Sequence, residues 1–232
     1  MATGHKTSPF VIIGMPTYNN HVCHRTTASL DKLISATHGT GVSLAIPRGA
    51  SSILPKQRND LVWKMLEMQA THLLFIDSDM VFDGDFLLYL LDHNRDIVSG
   101  LCVSRGAPYT PVVRMKNKDG KYRPVDGLED GRFIEDVDGV GMAFCLIKKR
   151  VFEKIEPPWF AMPPYGNEVQ GEDYYFCEKA KLAGFQISVD CSLVVGHITD
   201  HPVTIYDYVN YKLEREKQEA AKKKKESLII VP

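Results

Sequence analysis

Two carboxylates separated by one small residue, Asp77 and Asp79, are the side chains whose spacing is best suited to chemistry. They directly follow the apolar run 73–76, which is typical of a strand buried on both faces of a parallel sheet. In an open α/β sheet, ligands bind beyond the carboxyl ends of the strands. Two hard oxygen donors there suit a Mg²⁺ or Mn²⁺ ion that also holds substrate phosphates. The alternative is that both residues only end a strand in a polar turn.

A second acidic pair, Glu172 and Asp173, follows Gly171 at the start of a predicted helix that runs to Ala183. Acidic residues in a first turn interact favourably with the helix dipole by about 0.3–1 kcal/mol each, so a structural role alone would explain them. His197 closes the predicted strand 193–197, and a single His in that position is more often structural than a ligand. From residue type and position alone, both roles stay open for these residues.

A polar and basic stretch, 56–59, lies in the N-terminal half of the predicted amphipathic helix 54–69. The dipole at this end of a helix prefers anions, so bound phosphate would compensate cations such as Lys56 and Arg58. The alternative is a solvated charged face. Because Arg58 lies off the apolar stripe of the helix, we expect it at the surface, where it would serve a ligand rather than the fold.

The elements that must position these residues alternate between strands and helices in the first half of the chain. In that half, strands are predicted at 10–15, 42–46, 72–76 and 97–103, and helices at 26–36, 54–69 and 86–92. This alternation predicts a mostly parallel sheet with helices on both faces. In the second half, shorter strands are predicted at 111–115, 133–137, 143–147, 187–189 and 193–197, and helices at 149–155, 172–183 and 204–226. A proline-rich and aromatic loop, 157–167, has the composition of a semi-rigid substrate lid.

The composition is that of an ordinary globular domain, with 232 residues, 44% hydrophobic and 25% charged. The formal net charge of −1 gives no reason to expect nucleic-acid binding. Apolar runs stay well short of the roughly 20 residues that span a bilayer, and the polar N-terminus lacks a signal-peptide core. We therefore expect a cytoplasmic protein without a membrane span. Five scattered cysteines without a Cys-x-x-Cys pair favour free thiols, with a catalytic cysteine as the alternative.

Four stretches, taken in this order, resemble a glycosyltransferase of the GT-A fold, closest to the family 2-like enzymes and to small viral and phage transferases. These stretches are Met15-Pro16-Thr17-Tyr18-Asn19, Gln57-Arg58-Asn59, Phe75-Ile76-Asp77-Ser78-Asp79, and Gly171-Glu172-Asp173 followed by His197. With the first strand they extend over about four fifths of the chain. The resemblance implies a single Rossmann-like GT-A domain, with a mostly parallel central sheet and a smaller antiparallel portion on the acceptor side.

The resemblance also implies a role for each matching residue. The nucleotide-sugar would be bound by Pro16, Thr17, Tyr18, Asn19, Arg58, Asn59, Asp77 and Ser78. A Mn²⁺ or Mg²⁺ ion would be held by Asp79 and His197, with Asp77 toward the ribose and metal-bound water. Asp173 would be the catalytic base, and Glu172 would position the acceptor or a metal-bound water. The turn 139–142 would form the floor of the acceptor site.

The implied function is transfer of a single sugar from a nucleotide-diphosphate sugar, with a UDP-sugar favoured, to a hydroxyl acceptor such as a glycan. The family 2 Gln-x-x-Arg-Trp motif is absent after Asp173, which argues against processive polysaccharide synthesis. The GT-A domain would span 1–203, with a nucleotide-sugar half, 8–103, and an acceptor half, 104–203. A C-terminal helix and basic tail, 204–232, would follow, and a viral member would act in the host cytoplasm.

Two other functions stay open at this point. A nucleotidyltransferase acting on sugar phosphates would also use paired Asp residues, but it usually needs a basic, glycine-rich phosphate loop near the N-terminus. This chain has Pro-Thr-Tyr-Asn at that place. The second alternative is a catalytically inactive module that binds nucleotide-sugars. The presence of Asp77, Asp79, Asp173 and His197 together argues against it.

Overall fold

The computed structural model describes residues 8–17, 21–47, 51–166, 168–199 and 202–229. Its strands and helices follow the alternation of apolar runs and amphipathic segments in the sequence. In chain order they are β1 (Phe10–Gly14), α1 (His24–Thr37), β2 (Ser43–Ala45), α2 (Leu54–Glu67), β3 (His72–Ile76), β4 (Met80–Val81), α3 (Phe86–Asp92), β5 (Ile97–Leu101), β6 (Val113–Lys116), β7 (Tyr122–Pro124), β8 (Phe133–Ile134), β9 (Gly139–Val140), β10 (Phe144–Lys148), α4 (Lys149–Lys154), β11 (Pro164–Tyr165), β12 (Glu168–Val169), α5 (Glu172–Leu182), β13 (Ile187–Val194), β14 (Gly196–Ile198), β15 (Pro202–Val203) and α6 (Ile205–Ile229).

The central sheet has seven strands in the order β2-β1-β3-β10-β5-β13-β8. Strands β2, β1, β3, β5 and β13 run in one direction, whereas β10 and β8 are antiparallel to their neighbours. The predicted fold class is therefore confirmed: an α/β domain with a mostly parallel central sheet. The predicted smaller antiparallel portion corresponds to the sheets β7-β6-β9, β15-β14-β4 and β11-β12.

Helices cover both faces of this sheet, as strand alternation requires. Along β3, Leu73 and Phe75 face a core formed with α2, α4 and α5, whereas Leu74 and Ile76 face a second core formed with α1 and α3. Successive side chains of a strand point to opposite faces, so an uninterrupted apolar run fills both cores. This packing holds β3 in the interior of the sheet, between β1 and β10, and brings the residues after it to the sheet's carboxyl edge.

The last strands differ from the sequence prediction. Residues 187–194 form one strand, β13, where two separate strands had been predicted, because a register shift between Asp190 and Val194 lets the pairing with β5 continue. His197 lies instead in the short strand β14, which pairs with β4 directly after Asp79. The helix α6 begins at Ile205 and extends three residues beyond the predicted end at Glu226. Among the described residues, none of the helices combines the length and the apolar character that crossing a bilayer would require.

Candidate active site

Asp77 and Asp79, directly after β3, lie at the carboxyl edge of the sheet but contact different partners. The backbone N–H of Asp77 donates to the carbonyl of Ala143, and its carboxylate lies 3.3 Å from Nη2 of Arg58. The carboxylate of Asp79 contacts Arg105 and His197 instead. The two acids predicted to act together thus belong to two adjacent groups of charges.

The first group, which we call the Arg58 cluster, joins Arg58 to Asp77, Glu172 and Asp173. The Nε of Arg58 lies 3.4 Å from Oε1 of Glu172, and the Nη2 of Arg58 lies 3.6 Å from Oδ1 of Asp173. Arg58 of α2 therefore contacts both the first turn of α5 and the residue that follows β3. Because Glu172 and Asp173 pair with an arginine here, they do more than interact with the dipole of their own helix.

Arg58 itself is buried, and the prediction that it lies at the surface is wrong. Its side chain is 2% exposed, its guanidinium carbon lies 5.4 Å from the centre of the Phe75 ring, and its Nη1 donates to the carbonyl of Met142. Burial alone would lower the pKa of Arg58, but the charges of Asp173, Asp77 and Glu172 outweigh it and raise that pKa. An arginine can be buried at this position because three carboxylates converge on it.

Of the three acids in the Arg58 cluster, Asp173 lies farthest from the guanidinium that neutralises them. Burial raises its pKa; Arg58 opposes the rise, Glu172 and Asp77 add to it, and the result is about 7. One carboxylate oxygen, Oδ2, accepts a hydrogen bond of 3.2 Å from the backbone N–H of Met142. The other, Oδ1, is buried and has no hydrogen-bond partner among the described residues. A carboxyl group that is half protonated near neutral pH can take up or release a proton there.

The second group places His197 beside Asp79, although the two are far apart in the sequence. Strand β14 pairs with β4, and the N–H of Ile198 donates to the carbonyl of Asp79 over 2.8 Å. This backbone pairing sets Nε2 of His197 3.4 Å from Oδ2 of Asp79. Nδ1 of His197 donates to the carbonyl of Val103 over 3.2 Å, which fixes the orientation of the imidazole. The main chain, rather than an apolar environment, therefore positions this histidine.

Charge pairing shifts the pKa values of both residues. Burial lowers the pKa of His197, but its hydrogen bond to Asp79 and the charge of that residue raise it above the ordinary value. Burial would raise the pKa of Asp79, but the hydrogen bond to His197 and the charges of His197 and Arg105 hold it below the ordinary value. Asp79 is therefore ionised at neutral pH, as a metal ligand must be.

Asp79 and His197 fit a divalent metal ion as a pair of ligands. Their 3.4 Å separation suits neighbouring positions around a small ion, and the Nδ1–H bond to Val103 leaves the lone pair of Nε2 available for coordination. Asp77, the third predicted ligand, is paired with Arg58. Among the described residues, no three His, Cys, Asp or Glu side chains converge to enclose an ion by themselves. Water and substrate phosphates would have to complete the coordination, which is common for Mg²⁺.

The first loop of the predicted nucleotide site is held by a residue to which no role had been given. The side-chain amide of Gln57 accepts from the N–H of Thr17 over 2.7 Å and donates to its carbonyl over 2.8 Å. Pro16 directly precedes this clamp, whereas Tyr18 and Asn19 lie outside the described residues. The carbonyl of Ser78 accepts from the N–H of Cys23, so that residue anchors the start of α1.

Asn59, two residues after Gln57 in α2, bonds to the 159–160 backbone. Its amide donates to the carbonyl of Phe160 over 2.8 Å, and its oxygen accepts from the N–H groups of Trp159 and Phe160. These bonds, with a further one to the carbonyl of Pro55, use the donors and acceptors that a nucleotide would need. The structure thus gives Asn59 a role in fixing the 159–160 backbone, and its contact with the nucleotide stays a prediction.

The turn 139–142 supports Asp173 through its backbone. A Cβ atom at Gly139 would lie 2.8 Å from the ring of Tyr174, so glycine is needed there for close packing against α5. This packing brings the N–H of Met142 to the carboxylate of Asp173. Gly139 thus allows the turn to approach the helix that carries the candidate base, and the floor of the acceptor site stays a prediction.

Comparisons with known proteins identify the fold. None of the family models, and none of the curated proteins, matches this chain. Among solved structures, A197 from STIV is similar over 84% of this chain and 88% of its own, with 20% identity and a TM-score of 0.55. S. aureus TarS 1–349, in complex with UDP-GlcNAc, is similar over 78% and 55%, with 16% identity and a TM-score of 0.42.

A further similar structure is a glycosyltransferase involved in the glycosylation of the major capsid of PBCV-1. It shares 12% identity, covers 78% of this chain and 93% of its own, and has a TM-score of 0.38. The likeness to A197, together with the order and directions of the seven strands, concerns the fold and not the activity. The chain has a GT-A glycosyltransferase-like fold.

Proposed function

We propose that this chain is a metal-dependent glycosyltransferase that moves one sugar from a nucleotide-diphosphate sugar, with a UDP-sugar favoured, to a hydroxyl of a glycan or similar acceptor. One observation carries the proposal. A carboxyl group with a pKa of about 7, Asp173, lies beside the end of β3, where Asp79 and His197 form a pair suited to a divalent ion. A proton acceptor and a cation site at one sheet edge are the two parts that sugar transfer from a diphosphate needs.

The charges of the site argue for a divalent ion. Within the part of the chain that the structure describes, Asp77, Asp79, Glu172 and Asp173 pair with two arginines, Arg58 and Arg105, and with His197. A nucleotide diphosphate would bring further negative charge to a site that already has an excess of carboxylates. Mn²⁺ or Mg²⁺, when bound by Asp79 and His197, would neutralise the charge that develops on the leaving diphosphate.

Asp173 is proposed as the general base. Its carboxylate is oriented by the N–H of Met142, and Arg58 keeps it partly ionised at neutral pH despite its burial. It would take the proton of the acceptor hydroxyl as that oxygen attacks the anomeric carbon of the sugar. Glu172 would position the acceptor, while Arg58 pairs with the carboxylates at the back of the site. One base on the acceptor side implies a single displacement, with inversion of configuration at the anomeric carbon.

The donor would lie against the first loop. Thr17, clamped by Gln57, and the adjacent Pro16 would line the base and ribose pocket together with Tyr18 and Asn19. Asp77 would face the ribose from the end of β3. These contacts are proposed from the resemblance of the motifs and from the position of the clamp at the carboxyl edge of the sheet.

The test is a transfer assay over a panel of UDP-, GDP- and dTDP-sugars in Mn²⁺, repeated in EDTA. We expect turnover with one donor class, and calorimetry should show donor affinity falling at least about tenfold in EDTA, or ~1.4 kcal/mol. Asp173→Asn should fold and bind donor, but should turn over about 10²–10⁴-fold more slowly. The matched control is Asp60→Asn, which changes an exposed acid on α2 that pairs with Lys56.

Four results would contradict parts of the proposal. Normal turnover of Asp173→Asn would remove the general base. Equal donor affinity in Mn²⁺ and EDTA would remove the metal dependence. Release of pyrophosphate from a nucleoside triphosphate and a sugar phosphate, with no sugar transfer, would establish a nucleotidyltransferase. An NMR spectrum of the product with the anomeric configuration of the donor would exclude a single displacement.

A further inference from the structure

Arg105 contacts both Asp79 and His197, the two residues proposed as metal ligands. Its Nη2 donates to the carboxylate of Asp79, and both Nε and Nη2 lie 3.2 Å from Nε2 of His197. This arginine was not among the residues predicted from the sequence. Its side chain is 60% exposed, so the contact forms at the surface of the site and not in the core.

The two atoms that Arg105 contacts are the two that would coordinate the ion; the inference therefore rests on the metal site of the proposed function. In neutral His197 the proton is on Nδ1, which donates to Val103, so the lone pair of Nε2 accepts the N–H groups of Arg105. A metal ion needs the same lone pair and the same oxygen of Asp79. The guanidinium and the ion therefore cannot occupy these atoms together.

The backbone around Arg105 is held in place while its side chain is free to leave. Val103 forms a β-bridge with Pro111, and the N–H of Ser104 donates to the carbonyl of Thr110 over 2.9 Å. Within this loop, the N–H of Tyr109 donates to the carbonyl of Gly106. A closed loop keeps the side chain within reach of the site, and an exposed ion pair is weak enough to be exchanged.

We propose that Arg105 is an exchangeable cation, which holds Asp79 and His197 until a divalent ion displaces it and then binds the diphosphate of the donor. The exchange keeps positive charge beside two ligands that would otherwise be unpaired. Once displaced, the guanidinium lies at the edge of the site with donors that match phosphate oxygens. Binding of the ion and of the diphosphate should therefore be cooperative, because the diphosphate provides a new partner for the released arginine.

The experiment is a titration with Mn²⁺ alone, followed by electron paramagnetic resonance, of the wild-type chain, Arg105→Gln and Arg150→Gln. The control removes another exposed arginine, which pairs with Asp96 away from this site. Arg105→Gln should bind Mn²⁺ about two- to fivefold more tightly than the wild type, since the ion no longer has to displace an exposed ion pair. Arg150→Gln should match the wild type. A repeat with saturating UDP should increase the Mn²⁺ affinity of the wild type more than that of Arg105→Gln.

The outcomes separate the inference from the proposed function on which it rests. Mn²⁺ affinity that is unchanged or lower in Arg105→Gln, while Asp79→Asn abolishes binding, would overturn the exchange and leave the metal site intact. Mn²⁺ binding that Asp79→Asn does not weaken, or no binding in any variant, would overturn the metal site and the exchange together. Circular dichroism on each variant identifies any that fails to fold. Arg105→Lys, which keeps the charge but loses the planar donors, should give an intermediate affinity.

Discussion

Arg58 pairs with Asp77, Glu172 and Asp173, and Arg105 pairs with Asp79 at the same edge of one sheet, but the two arginines differ in burial. The side chain of Arg58 is 2% exposed and that of Arg105 is 60% exposed. A buried pair has lost the hydration of both charges, so removing one partner is costly, whereas an exposed pair is screened and contributes little. Arg58 is thus a fixed part of the fold, and Arg105 is available for exchange.

The two groups also shift the pKa values of their acids in opposite directions. In the Arg58 cluster, burial and the neighbouring carboxylates raise the pKa of Asp173 to about 7 although Arg58 opposes the shift. In the Arg105 group, the pKa of Asp79 is lowered, because one partly exposed acid meets an arginine and a histidine. The number of acids for each cation and the degree of burial decide the direction. One edge of the sheet therefore offers both a proton acceptor and a permanent anion.

The largest effect should follow from Arg58→Met, which tests whether the buried arginine is part of the fold. Three partly buried carboxylates would lose their shared cation, and we expect a loss of about 3–5 kcal/mol in the free energy of unfolding at pH 8. The loss should be smaller at pH 5, since Arg58 lowers the pKa of Asp173 and the cluster can take up protons without it. Urea denaturation at both pH values measures this.

The matched control for that variant is Lys56→Met, two residues earlier in α2. Lys56 is exposed and pairs with Asp60 four residues later, so its loss should cost no more than about 0.5 kcal/mol. Equal stability of Arg58→Met and Lys56→Met at pH 8 would show that the buried ion pairs of Arg58 stabilise the fold no more than the exposed pair of Lys56.

A second, smaller effect concerns the stability of the Arg58 cluster as a function of pH. The folded pKa of Asp173 is raised, so its contribution to stability is complete below the unfolded value, near 3.8, and is lost as the pH rises through about 7. Asp173→Asn carries no such titration. Relative to the wild type, it should therefore gain about 1–3 kcal/mol in unfolding free energy between pH 5 and pH 8.

Denaturant titrations of both proteins at unit steps of pH give this difference directly. Asp130→Asn serves as the control, because its partner Arg132 lowers the pKa of that exposed acid; its titration lies below this range, and its difference from the wild type should stay constant from pH 5 to pH 8. A constant difference between Asp173→Asn and the wild type from pH 5 to pH 8 would contradict the raised pKa.

The smallest effect should be that of Arg105→Gln on stability. Because the pair with Asp79 is exposed, we expect a change within about 1 kcal/mol without metal, although the same variant should alter Mn²⁺ affinity. Thermal unfolding in EDTA, beside Arg150→Gln, is the measurement. A loss comparable with that of Arg58→Met would mean that Arg105 fixes the fold, and the contrast between the two arginines would fail.

The strand and helix pattern could be predicted from the sequence, because local periodicity determines it. The buried run before Asp77 places that residue and Asp79 at the carboxyl edge of the sheet, and the boundaries of α2 and α5 differ from the predictions by one or two residues. Both depend on side-chain alternation and on the ends of apolar segments, which are visible in a single sequence.

The partners of the site residues could not be predicted in the same way. Arg58 meets Glu172 only because α2 and α5 cover the same face of the sheet, and His197 meets Asp79 only because β14 pairs with β4. Such contacts depend on the register between distant segments, which leaves no local signal. Arg58 stands three and four residues before Leu61 and Val62, on the buried face of α2, but its spacing alone could not show that three acids from other elements make its burial possible.

The two tryptophans of the chain provide a spectroscopic consequence of this packing. Trp63 on the outer side of α2 is 54% exposed, Trp159 beneath it is 2% exposed, and their ring centroids are 4.8 Å apart. The indole N–H of Trp159 donates to the carbonyls of Phe152 and Ile155, so unfolding exchanges those bonds for water. The intrinsic fluorescence of the chain therefore reports on the helix that carries Arg58, and its emission can follow the unfolding of that region without an attached dye.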